Sequence, residues 1–150
     1  MKAVQRVANG RCQMSMRQEM RFESGILKVD ASGEFSLEGA KRAFLELMGA
    51  VVHYQAEKIL LDGRNIKGNP AHIERFYYGY FAAAETISFT AKYRLRQQPQ
   101  FAYVLHEPLR DRGRYGEKVA VNRGMNIKVF ETLEEASEWL GATTGNKPEA

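Results

Sequence analysis

Imidazole is the side chain most often recruited to bind a metal or to move a proton near neutral pH, and this chain carries three: His53, His72 and His106. No two of them stand at metal-ligand spacing, and each has an ordinary alternative role as a surface or capping residue. The single cysteine, Cys12, rules out both an intrachain disulfide and a zinc site built from cysteine pairs. It lies in a basic stretch far in sequence from every histidine, so a thiol nucleophile has little support. Ser88, His106 and Asp111 can be selected as a hydrolytic triad, as three such residues can in most chains of this length. The elbow Gly-x-Ser-x-Gly is absent, and so are Gly-x-Gly-x-x-Gly and a phosphate-binding Gly-Lys-Thr loop. The expectation is a chain with no catalytic residue, no metal and no cofactor, whose chemistry is recognition.

Three groups of residues are candidates for recognition. Asp62-Gly63-Arg64-Asn65 leaves the carboxyl end of an apolar run, where open α/β sheets place their ligand crevices, and Gly68, Asn69 and Pro70 continue the same stretch. Asp62 and Arg64 there either orient a ligand or partner, or serve the loop itself, since an Asp side chain readily satisfies its own backbone two residues on. The second group is basic: Arg94, Arg96, Arg110, Arg112 and Arg114, with Lys92, Lys118 and Arg123, against only Glu107, Asp111 and Glu117. Alternating arginines of this kind suit a phosphate or an anionic lipid headgroup, and the interspersed acids equally suit a solvated surface. The third is aromatic. Phe76, Tyr77, Tyr78, Tyr80 and Phe81 cover more than one face of a helix, so the excess beyond the core, at Tyr78 and Tyr80, marks a homodimer contact or a partner groove.

These groups need elements to position them. Met20–Glu23 and Ile26–Asp30 flank Ser24-Gly25 and read as a hairpin. From Leu37 the apolar residues recur at helical spacing through Ala40, Phe44, Leu47 and Val51, with Ser36 placed to cap the helix and Glu38 in its first turn. Lys58–Asp62 is a short unbroken apolar run, the pattern of a central strand covered on both faces. Gly63 to Pro70 has loop composition, and a second helix follows through Ile73, Phe76, Tyr77, Tyr80, Phe81, Ala84 and Ile87. Thr90 to Gln100 reads as a connector and Phe101–His106 as a strand. A short helix spans Val119–Arg123, stopped by Gly124, and Asn126–Phe130 is the last strand. Thr132-Leu133-Glu134-Glu135 is a capping box before a final helix through Trp139 and Leu140. The order β-β-α-β-α-β-α-β-α implies right-handed crossovers and a mostly parallel sheet flanked by helices.

At 150 residues, 44% hydrophobic and 27% charged, the chain has the size and composition of one globular domain. No apolar run approaches the length of a membrane span. The formal charge of +4 resides in residues 1 to 21, where Lys2, Arg6, Arg11, Arg17 and Arg21 face only Glu19; the remainder is balanced. A neutral body argues against a nucleic-acid-binding face. We divide the chain into a basic segment 1–17, which reads as a frayed tail or an organellar presequence, a domain 18–141, and a flexible tail 142–150. A lone cysteine and the lack of a secretory core fit a reducing cytoplasm.

The element order, together with Gly33-Glu34-Phe35-Ser36 at the corner after the second strand and Lys58-Ile59-Leu60-Leu61-Asp62 as central strand, resembles the STAS domain. This is the SpoIIAA-like fold of anti-anti-sigma factors and sulfate-transporter tails. The resemblance spans roughly residues 18 to 141, and Ala136-Ser137-Glu138-Trp139-Leu140 is similar to the end of its STAS/SEC14-like branch. It implies a non-catalytic regulatory module that engages a protein partner or a small ligand at the loops after the central strands. An anionic lipid-headgroup or phosphate binder using the basic segment is the alternative. One departure stands out. Anti-anti-sigma factors carry an Asp-Ser pair at the start of the helix after the central strand, where phosphorylation sets the switch. Gly68-Asn69-Pro70-Ala71-His72 stands there instead, and no hydroxyl occurs between Gly63 and Tyr77.

Overall fold

The structure, a computed structural model, describes residues 15–142. The elements are β1 (Arg17–Glu23), β2 (Ile26–Glu34), α1 (Leu37–Tyr54), β3 (Lys58–Lys67), α2 (His72–Lys92), β4 (Gln100–Val104), α3 (Tyr115–Asn122), β5 (Asn126–Phe130) and α4 (Leu133–Ala142). Residues 1–14, with Cys12 of the basic segment, and 143–150 of the terminal tail lie outside the described residues.

The expected architecture is present. One five-stranded sheet runs in the order β1-β2-β3-β4-β5, with β1 and β2 antiparallel and every other pairing parallel. The hairpin turns on Ser24 and Gly25, whose φ angles of 55° and 77° give the two left-handed residues that match the twist of the strands. β3 is central, as its unbroken apolar run requires. Its alternate residues face two different cores. Ile59 and Leu61 join Leu27, Val29, Phe101, Tyr103, Ile127 and Val129 beneath α1, α2 and α3, whereas Leu60 packs with Ala102, Val104, Ala136 and Leu140 under α4. Three helices cover one face and one helix covers part of the other. On the half of the second face that α4 leaves bare, Arg21, Glu23, Lys28 and Asp30 pair with one another at 2.9 to 3.5 Å.

The helix caps read from the sequence form as expected. Ser36 Oγ accepts the Gly39 N–H at 3.0 Å, Thr132 Oγ1 accepts the Glu135 N–H at 3.2 Å, and Gly124 takes a φ of 101° beyond α3. Several element boundaries differ from the expectation: β1 starts at Arg17, β2 runs on to Glu34 and β4 ends at Val104. Gly63 to Lys67 is strand, because beyond the register shift after Asp30 and Asp62 the backbone of Ser32–Glu34 offers Asn65–Lys67 a ladder that outweighs local turn composition. α2 runs on to Lys92, where a connector was expected, and two of its threonines turn their hydroxyls back onto the helix, Thr86 to the Ala82 carbonyl and Thr90 to the Thr86 carbonyl. α3 starts earlier, at Tyr115, because Asp111 accepts the Tyr115 N–H at 2.9 Å and so supplies the helix with an acidic N-terminal partner.

Phe44 ties the larger core together. It is 2% exposed and meets Phe101, Tyr78 and Phe81 at centroid distances of 5.8, 6.3 and 6.4 Å, the last two edge-to-face. Phe44→Ala is expected to lower the unfolding free energy by about 3–5 kcal/mol, read as a reduced urea midpoint at unchanged m-value.

Candidate functional site

A cavity of about 150 Å³ opens between the sheet and α1, α2 and α3, at the carboxyl ends of the strands. Its walls are apolar: Phe44 and Leu47 from α1, Leu61 and Ile66 from β3, Ala82 from α2 and Ala120 from α3. The mouth is polar and comes from the loops β3–α2 and β4–α3 with the start of α3. Pro70, Arg75, Arg110, Asp111, Arg114 and Glu117 line it.

Most of these polar groups are already engaged. Arg75 donates to the carbonyls of Leu109 and Pro108 at 2.7 and 3.0 Å and to Asn69 Oδ1 at 3.2 Å, so its guanidinium ties the two loops together. Arg110 donates to Glu131 Oε2 at 2.7 Å. Asp111 accepts the N–H groups of Tyr115 and Gly113, which hold its carboxyl below the usual aspartate range despite the opposing effect of burial. Glu117 is the exception. Its Oε2 accepts the Val129 N–H at 3.2 Å, while Oε1 is buried and has no hydrogen-bond partner; the Arg114 Nε stands 3.8 Å away, beyond hydrogen-bonding reach.

Deeper in, Tyr78 and Tyr103 share a hydrogen bond between hydroxyls, 2.9 Å long. Burial disfavours either phenolate, so Tyr78 is pushed up to about 12 and Tyr103 well above the ordinary tyrosine value.

The residues named from the sequence divide among several places. Asn69 and Pro70 reach the mouth of the cavity, as do Arg110 and Arg114. Asp62 and Arg64 do not. Strand alternation turns Leu61 toward the cavity and Asp62 to the opposite face, where Arg64 clamps it with two side-chain bonds of 2.9 and 2.8 Å and a backbone bond of 3.2 Å. The Arg64 guanidinium holds the Asp62 carboxyl below its usual value. The hydrogen bonds of Asp62 to Arg64 are those of the local role. Gly63 gives way to Leu105, whose Cδ2 would stand 2.7 Å from an added Cβ, and Gly68, at φ 128°, lies under Phe35. Asn65 pairs with Ser32 in the ladder.

The basic segment is not one patch. β4 separates Arg94 and Arg96 from Arg110, Arg112 and Arg114, and its five residues span about 17 Å. Arg96 pairs with Glu57 at the amino end of the sheet, and Arg112, 83% exposed, pairs with Glu107 at the carboxyl end. Tyr78 and Tyr80 also part company: Tyr78 turns inward to Tyr103, while Tyr80 is exposed beneath the Arg123 guanidinium at 4.2 Å. His72 stacks on Tyr115 and His53 meets Tyr54 edge-on. Among the described residues no three His, Cys, Asp or Glu side chains gather as a metal site, and no helix is long and apolar enough to cross a membrane.

Arg75, Tyr103 and Glu117 were not singled out in the sequence. Glu117 sits ahead of the expected start of α3, and nothing in the spacing of Arg75 marks it as a loop tie. Tyr103 within an apolar strand was legible as core, but its hydroxyl partner was not.

No family model and no curated protein matches this sequence. Solved structures do match it, among them the following two. One is an anti-sigma factor antagonist from Mycobacterium paratuberculosis, 16% identical, with a TM-score of 0.52, covering 84% of this chain and 94% of that one. The other is an uncharacterised protein with a SpoIIAA-like fold from Shewanella loihica PV-4, 17% identical, with a TM-score of 0.45, covering 91% and 99%. The mixed α/β sheet with its opening hairpin shares the fold of the anti-sigma factor antagonist, the architecture that the sequence resemblance implied.

Two measurements check the site's energetics. The folded protein raises Tyr78 above its unfolded value near 10, so the stabilisation is complete below pH 10 and is lost as pH rises toward 12. Tyr78→Phe is expected to flatten the fall in urea midpoint over that range. Arg64→Ala, which breaks a partly exposed pair, is expected to change unfolding free energy by less than about 1 kcal/mol, with chemical shifts at the cavity unmoved.

Proposed function

We propose that this chain is a non-catalytic regulatory module that holds a small ligand in the cavity beneath the β3–α2 and β4–α3 loops. The observation that carries the reading is Glu117 Oε1, buried at the edge of a mainly apolar chamber with no hydrogen-bond donor and only the Arg114 guanidinium 3.8 Å away. A buried carboxylate oxygen with no donor is costly, and a ligand hydroxyl or amine attached to an apolar body would supply one. Dry apolar cavities of about this volume accept a benzene-sized ring. The arginines of the mouth favour the same class of ligand. Arg75 spends its N–H donors on backbone carbonyls and Asn69, and Arg110 pairs with Glu131, which leaves few free donors at those two arginines for a free phosphate or an anionic headgroup.

The regulatory part of the reading draws on the fold shared with the mycobacterial anti-sigma factor antagonist. The loops that Arg75 ties together stand over the cavity, so a ligand inside would change the surface offered to a protein partner. A serine switch at the start of α2 is not available: Ala71 caps the helix, and its N–H is held by the Glu74 carboxylate at 2.8 Å.

Benzyl alcohol and toluene separate the contributions by size and by donor. Titrated against the full chain and followed by chemical shifts at Leu61, Tyr103 and Ala120, benzyl alcohol is expected to bind about tenfold more tightly, because its hydroxyl can donate to a charged acceptor. Glu117→Leu should level the two, and Ala82→Phe, which fills the chamber, should abolish both. Equal affinity of the unaltered protein for the two probes would refute the donor role, and binding of neither would refute the ligand.

A further inference from the structure

α2 carries a second apolar face that the fold leaves largely exposed, with only the Arg123 guanidinium over Tyr80 and Gly124 beside Ile87 from the end of α3. Gly79, Ala82, Ala83 and Thr86 are its buried residues. On the outward side Ile73, Tyr77, Tyr80, Ala84, Ile87 and Ala91 are all exposed, the four large ones by 55, 49, 42 and 45%. Their spacing alternates between four and three residues, the 3.5-residue repeat of a helix-to-helix seam, sustained for about 27 Å of helix. The core does not need these side chains, since α2 is already buried along its other face.

The size pattern says what fits the seam. When two copies of α2 cross antiparallel about a twofold axis level with Ala82, Ile73 meets Ala91, Tyr77 meets Ile87 and Tyr80 meets Ala84. Each crossing then sets a bulky residue against a smaller one, which is how facing layers interdigitate. A parallel pair would set Tyr77 on Tyr77, Tyr80 on Tyr80 and Ala84 on Ala84, crowding one half and leaving the other hollow. The antiparallel arrangement also brings the end of the helix holding Glu74 to the end holding Lys92, and opposes the helix dipoles. An anionic membrane is a poorer occupant, since an interfacial helix wants flanks rich in Lys and Arg, and here Lys92 and Arg123 are balanced by Glu74 and Glu85.

We propose that α2 is a self-association helix and that two copies of this chain dock antiparallel along the Ile73–Ala91 seam. A single helix seam is a small contact for a specific interface, so association is to be sought across a wide range of concentration.

Sedimentation velocity of the full chain in reducing buffer, from about 1 μM to 1 mM, is expected to pass from the mass of one chain to that of two. Ala84→Glu places a carboxylate at the middle of the seam and is expected to hold the protein at one chain throughout, with unchanged circular dichroism and unfolding midpoint because the site is exposed. Ala84→Tyr alone should weaken the dimer at least tenfold, since two tyrosines then meet, and adding Tyr80→Ala should restore it by exchanging large for small. A one-chain mass for the unaltered protein at every concentration overturns the proposal, as does an Ala84→Glu variant that associates like the parent or a swap that fails to restore. Co-sedimentation of the monomer with phosphatidylserine vesicles would likewise overturn it, in favour of a membrane surface.

Discussion

The pairing of β2 with β3 is the constraint on which the rest of the structure hangs. It begins at Ile26 and Lys58, slips by one residue after Asp30 and Asp62, and continues to Glu34 and Lys67. Without the second stretch, Gly63 to Lys67 would be the loop that its composition favours, and α2 would start from a different point. With it, Ile66 reaches the cavity wall, Gly68 turns against Phe35, and Pro70 arrives at the mouth. The register shift also lets Asp62 and Arg64 close on each other on the far face, away from the chamber.

The chamber itself is a consequence of unequal helix packing. α2 and α3 approach closely because Gly79 faces the Gly116 carbonyl, where an added Cβ would stand 2.6 Å from the oxygen. α1 is held off by the aromatic group around Phe44, whose edge-to-face contacts demand room. Space remains between them, roofed by two loops that Arg75 binds to each other. A single guanidinium with three acceptors is thus the tie between the β3–α2 and β4–α3 connections.

Electrostatics follows the same economy. Each arginine of the former basic patch that an ion pair describes has a carboxylate within 4.0 Å, in Glu57, Glu107, Glu117 and Glu131. Such pairs add little stability at an exposed surface, but they cancel the field that a long string of arginines would otherwise project. The body therefore presents neutral loops over an apolar chamber, and its most distinctive exposed surface is hydrophobic, along α2.

What the sequence determined by itself was the pattern of elements and the absence of familiar catalytic motifs. Strand-like apolar runs, helical periodicity and the caps at Ser36, Thr132 and Gly124 are local signals, decided by residues within a turn or two of one another, and they led to the fold class directly. The 3.5-residue spacing on α2 was present there as well, but the inward turn of Tyr78 and the exposure of Ile73, Ala84 and Ile87 depended on which side the sheet came to lie. Only the tertiary structure decided that Gly63–Lys67 would pair as a strand, that five arginines would be divided by β4, and that Glu117, Arg75 and Tyr103 would meet around one chamber. Those outcomes rest on contacts between residues far apart in the chain, where a parallel ladder or a shared cavity outweighs the local preference of any single segment.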